Sequence, residues 1–134
     1  MHKFLINFLL SLGILGVMSL TNAATLVETQ DLAIQGDAKA QYQLSMRYLT
    51  GDGVEGDIEQ AMNWMRKAAE QGHANAQFSL GGLYHEGELV QPDSKKALYW
   101  YGKAIAQGHG KAMAYTGWMF MVGSNAGLRE SAQR

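Results

Sequence analysis

"GDAKAQYQLSMRYLTGDGVEGDIEQAMNWMRKAAEQ", residues 36–71, is followed without a break by "GHANAQFSLGGLYHEGELVQPDSKKALYWYGKAIAQ", residues 72–107, and the two align residue for residue. Fourteen positions are identical at a spacing of 36: Gly36, Ala38, Ala40, Gln41, Leu44, Tyr48, Gly51, Val54, Asp57, Ala61, Trp64, Lys67, Ala68 and Gln71 each recur. Self-similarity at a fixed period of this length marks a solenoid, in which each unit buries its apolar face against the next. The pattern continues into "GHGKA", residues 108–112, and then thins.

Each unit reads as two helices. The first runs from about Ala38 to Leu49, with Ala40, Leu44 and Tyr48 stacked at i, i+4 and i+8. The second runs from about Ile58 to Gln71, with Ala61, Trp64, Met65 and Ala68 on one side. The stretch between them, "LTGDGVEGDIEQA" at 49–61, is rich enough in glycine and acid to raise the question of a cation loop or a phosphate cradle. A calcium loop counted from Asp52 would place Val54 and Asn63 at positions that need an oxygen ligand and a bidentate Glu. A phosphate loop would follow its glycines with Lys and Ser or Thr, whereas Gly56 is followed by Asp57 and Ile58. The counterpart at 85–97, "HEGELVQPDSKKA", changes the acids and keeps the turn formers, so the stretch is a turn. Gly51 and Gly87 end the first helices, where a positive φ suits glycine. Asp57 and Asp93 are the expected N-caps of the second helices, with Gln60 completing a capping box and Pro92 preceding the other cap.

The series Ala40-Gln41, Leu44, Tyr48, Gly51, Gly53-Val54, Asp57, Ala61, Trp64 and Lys67-Ala68-Ala69-Glu70-Gln71-Gly72 resembles the Sel-one-like repeat (SLR), a relative of the tetratricopeptide repeat. The resemblance implies an all-α chain, an α/α solenoid of helical hairpins, over residues 36–123. It weakens in the second unit, where Leu89 replaces the second turn glycine and Ala106 the Glu. It weakens again in the third, which ends where its second helix should begin, at Arg129. Residues 24–35 align with a second helix alone, Leu32, Ala33 and Gln35 matching Ala68, Ala69 and Gln71. The expected order is a capping helix at 24–35, repeats at 36–71 and 72–107, and a partial repeat at 108–134. In that last unit Met113, Trp118, Met119, Phe120 and Met121 are offered with little to cover them, a patch suited to a contact or to self-association.

The first 23 residues read as a signal peptide: a basic start at Met1-His2-Lys3, an apolar run from Phe4 to Leu20, and the small-residue boundary Thr21-Asn22-Ala23. The expected product starts at Ala24 and is periplasmic or secreted from a bacterium, with no membrane association after cleavage. Without Lys3, ten basic residues face twelve acidic ones, which gives no electrostatic footprint for nucleic acid. There is no cysteine, so neither disulfides nor thiolate metal sites are available and the fold rests on packing.

Positions that vary between repeats on the first helices are free of the packing constraint. These are 39, 42, 46 and 49, recurring as Asn75, Phe78, Gly82 and His85 and then Lys111, Ala114, Trp118 and Met121. Similarity to tetratricopeptide-like solenoids implies that this face is concave and binds a partner through Tyr42, Met46, Leu49, Phe78, His85, Trp118 and Met121. The other reading of the aromatic row is packing between neighbouring units. His73 and His109 hold the same place in successive units, beside a glycine, and read as structural. His85 with Glu86 and Glu88 lacks the second spaced His of a helical zinc motif. Ser45, Ser79 and Ser94 sit in neither a nucleophile elbow nor an S-x-x-K pattern. No catalytic set, metal site or cofactor is therefore expected. The resemblance implies a protein-binding adaptor or inhibitor, whose partner would be a toxin or an envelope protein. Neutralising a secreted lipase-type toxin is one use of similar exported proteins. The alternative is binding or hydrolysis of cell-wall peptides or β-lactams through His85, an analogy that the missing cysteines weaken.

Overall fold

The computed structural model describes residues 22–132, with side-chain surroundings to residue 123. Most of the expected signal peptide lies outside the described residues. Six helices follow one another: α1 over residues 22–34, then α2 (Ala38–Thr50), α3 (Ile58–Glu70), α4 (Ala74–Glu86), α5 (Ser94–Ala106) and α6 (Gly110–Ala132). No strand occurs among the described residues. α2 packs on α3 and α4 on α5 as hairpins, while α3 against α4 and α5 against α6 join the units. The result is an α/α solenoid.

Turn chemistry sets the helix ends. Gly51 closes α2 at φ 72° and Gly87 closes α4 at φ 67°, both left-handed. At Gly87 a Cβ would lie 2.6 Å from Pro92 Cβ, so glycine is required there twice over. Asp57 and Asp93 cap α3 and α5, each Oδ1 accepting at 3.0 Å from the backbone N–H of Gln60 or Lys96. The expected capping box is only half made. The Asp57 N–H donates to the Tyr48 carbonyl at 3.0 Å, as that of Asp93 donates to Tyr84 at 2.9 Å, so the turn is tied back to the preceding helix and the Gln60 side chain has no role in it.

Small residues let the helices close on one another. Ala61, Ala68, Ala76, Ala97, Ala104 and Ala112 are all fully buried, and Leu44, Leu80, Met65 and Tyr101 fill the space between them. Truncating Leu80 would cost about 2 to 5 kcal/mol, the range for a buried leucine whose site cannot collapse. Two glutamine pairs stitch the units together. Gln41 donates to the Ala33 carbonyl at 3.1 Å and accepts from Gln71 at 2.7 Å; one period on, Gln77 donates to Ala69 at 3.0 Å and accepts from Gln107 at 2.8 Å. A buried amide requires such partners, which is why glutamine recurs at both places. At the third turn of the ladder stands Met113, 47% exposed, and the ladder ends.

The third unit differs from the hairpins in a second way. α6 runs for 23 residues straight through Gly123, where the earlier units turn after 13. Its sequence after Gly123 has no Asp at the cap position, which is held by Arg129, and no proline; a glycine alone does not stop a helix.

A groove on the face of the first helices

The varying positions of α2, α4 and α6 do lie along one side of the molecule, but they are not equally open. Tyr42 and Phe78 are half-buried, because each stacks on the histidine that opens the next first helix. The Tyr42 and His73 rings are 4.9 Å apart at 30°, and the Phe78 and His109 rings 4.9 Å apart at 27°. Both histidines are helix N-caps, their Nδ1 atoms accepting at 3.2 Å from the N–H of Ala76 and Ala112. His109 also meets Asn75 Oδ1 through Nε2 at 3.0 Å, which fixes Nε2 as the donor and Nδ1 as the bare acceptor. Burial, with a smaller push from Lys39 and against the pull of Asp37, holds the His73 pKa below its ordinary value, as a neutral cap needs. Cap and ring stack form one inter-repeat staple. Sequence reasoning placed the histidines in structural turns but missed that they pair with the aromatic row; their recurrence 31 residues after Tyr42 and Phe78 is the signal that was available.

Met46 and Leu49 are likewise half-buried against the core, and His85 is half-buried with its ring edge-on to Tyr115 at 6.1 Å. Trp118 and Met121 are open, at 52% and 59% exposed. Tyr115, a residue the sequence reading passed over, connects the two sets: it lies 6.1 Å edge-on from Phe78 and 6.2 Å from Trp118.

Between α2, α4 and α6 these side chains leave a groove of about 270 Å³, walled by Met46, Leu49, Phe78, Leu83 and Tyr115 and edged by the Glu86 carboxylate. Two glycines make it. A Cβ on Gly81 would stand 2.6 Å from Tyr101 Cδ1, so only glycine admits that ring under α4. Gly82 leaves open the space that Met46 fills in the first unit. At the floor, Tyr101 is completely buried and its hydroxyl has no hydrogen-bond partner. Burial, reinforced by Tyr115 and Glu86, raises its pKa to about 12, so it stays a neutral O–H donor. A second, more polar hollow shares Phe78 and Ser79 with the first and ends at His109 and Lys111. Among the described residues no three His, Asp or Glu side chains gather as metal ligands.

The profile of the Sel1 repeat family matches residues 38–73 and 74–109, more than half of the chain. The chain belongs to the Sel1 repeat family. The matched segments keep the 36-residue period and are offset by two residues from the units delimited by sequence. Solved structures agree with the solenoid. A Sel1 repeat protein from Oxalobacter formigenes is 37% identical with a TM-score of 0.69, over 74% of each chain. The protein c5321, a protective antigen present in uropathogenic Escherichia coli strains and displaying an SLR fold, is 41% identical with a TM-score of 0.70 over 73% of this chain. The present Sel1 repeat chain spans about a fifth of that antigen's length, 21%. Among curated proteins none matches it.

Proposed function

We propose that this Sel1 repeat protein is an exported adaptor or inhibitor that holds another protein along α2, α4 and α6. Sel1 repeats generally mediate protein–protein interaction. The observation that supports a site on this face is the continuity of an apolar groove with an open aromatic edge, from Met46 and Phe78 through Tyr115 to Trp118 and Met121. Rigid aromatic anchors at such an edge are where binding energy concentrates. The export part of the proposal rests on the leader-like first 23 residues and predicts a product whose intact mass begins near Ala24.

A photo-crosslinking residue at position 118, compared in cells with one at exposed Tyr99 on the outer face of α5, tests the site. A discrete adduct with another protein is expected from position 118 and not from position 99. Once that partner is in hand, Trp118→Ala should weaken its binding by about 2 kcal/mol or more, with little change in melting temperature because the ring is half exposed. Adducts of equal yield from both positions, or a Trp118→Ala variant that binds normally, would remove this face from the interface.

A further inference from the structure

Among the described residues, the Tyr101 hydroxyl is the one buried side-chain polar atom lining the groove that has no hydrogen-bond partner, and it lies where the second repeat departs from the first. The corresponding residue of the first unit is Met65, with Ser45 and Met46 at the places of Gly81 and Gly82. In the second unit Gly81 admits the ring, and a Cβ on Gly82 would stand only 3.8 Å from Tyr101 Oη. Tyr101 lines the floor of the groove beside Gly82, with Met46 across from it, and the flexible thioether side chain of Met46 is one that can shift to admit an occupant. A buried donor without a partner costs stability, and a ligand acceptor recovers that cost on binding.

Charge and length narrow the occupant. Among the described residues Glu86 is the only charged side chain that lines the groove, and the walls around it are mostly apolar. From Phe78 to Glu86, the α4 residues that line it, the groove rises on the order of 12 Å at about 1.5 Å per residue, room for about four extended residues. We infer that the groove is a peptide subsite: it takes an extended segment of the partner, inserting an apolar side chain between Met46, Phe78 and Leu83. A backbone carbonyl of that segment accepts from Tyr101 Oη, and a basic residue beside the apolar one meets Glu86. This rests on the protein-binding reading above and adds the chemistry of the bound segment.

The test uses the full chain and two probes, acetyl-Ala-Leu-Lys-Ala amide and its Leu-Glu counterpart, followed by the backbone amide shifts of Gly82 and Glu86. The Leu-Lys peptide should shift both amides and bind more tightly than the Leu-Glu peptide, a preference that Glu86→Gln erases. Tyr101→Phe should weaken both peptides by roughly three- to tenfold, the worth of one neutral hydrogen bond, while its melting temperature stays level or rises. Equal affinities for wild type and Tyr101→Phe, or no shift at Gly82 with either peptide, would overturn the subsite. Gly82 shifts that depend on protein concentration without peptide would assign the groove to a second copy of the chain and overturn it equally. The interface reading fails on different results, those at positions 118 and 99, so a failure of the subsite is distinguishable from a failure of that reading.

Discussion

The first and second repeats share a scaffold and differ at three places that shape the groove. Both are closed by a left-handed glycine, capped on the second helix by an aspartate, tied by a Tyr carbonyl and stitched by paired glutamines. In the first, Ser45 turns its hydroxyl into its own helix, donating to Tyr42 O at 2.7 Å, and Met65 and Met46 fill the seam. In the second, Gly81, Gly82 and Tyr101 stand at those places, and the seam becomes a groove with a buried hydroxyl below it. The scaffold positions carry stability, and the exchange at three others changes the surface without changing the turn or the pairing of helices.

The largest effect that separates the repeats should come from their tryptophans. Trp100 is 9% exposed within the main core, whereas Trp64 is only half-buried, with Lys67 Nζ 4.3 Å above its ring. Trp100→Ala should therefore cost about 3 to 5 kcal/mol in urea unfolding and Trp64→Ala clearly less. Equal losses would mean that the core is shared evenly and that the second repeat is not its centre. A smaller effect tests the groove directly. Gly81→Ala drives a methyl into the Tyr101 ring and should cost about 1 to 3 kcal/mol by overpacking. Adding Tyr101→Met, the residue of the first repeat, should recover most of that loss. A double variant that melts as low as Gly81→Ala alone would break the claim that the two positions exchange as a set.

Much of this was legible in sequence because it repeats. Helix number, the two glycine stops and the aspartate caps follow from local chemistry that acts within a few residues, and a 36-residue echo doubles each signal. The glutamine pairs were visible as identities but not as a ladder, since their partners lie 30 residues away and a polar residue in a buried seam has no local signature. The groove was harder still. Its residues are those that do not repeat, and Gly81 and Gly82 read as weak helix formers until the ring beneath them is placed. The varying positions were readable as residues of α2, α4 and α6, while the depth to which Tyr42 and Phe78 are covered depends on His73 and His109 folding over them. The length of α6 turns on Arg129 standing where the earlier units have an Asp cap, the loss of a stop signal and not a signal of its own.

The smallest effect concerns how the repeats begin. α2 is capped by Asp37, whose Oδ1 accepts from Ala40 N–H at 2.7 Å, and α4 by His73 at the same place in the period. An aspartate cap is anionic at neutral pH and suits the positive end of a helix. A histidine can accept through Nδ1 only while that nitrogen is unprotonated. His73 has its pKa lowered from 6.5 by burial first, with Lys39 adding to that and Asp37 opposing it. A group whose folded pKa lies below its unfolded one binds protons more readily when unfolded. The stability it contributes is thus complete above about pH 6.5 and is lost as the pH falls through the folded value. His73→Ala should cost about 1 kcal/mol at pH 7.5, the usual worth of a cap. His73→Asn keeps a capping oxygen and removes the titration, so its urea midpoint should fall less than that of the wild type between pH 7.5 and 5.5. An unchanged pH slope in His73→Asn would show that the second repeat opens on a cap no more sensitive to protons than the first.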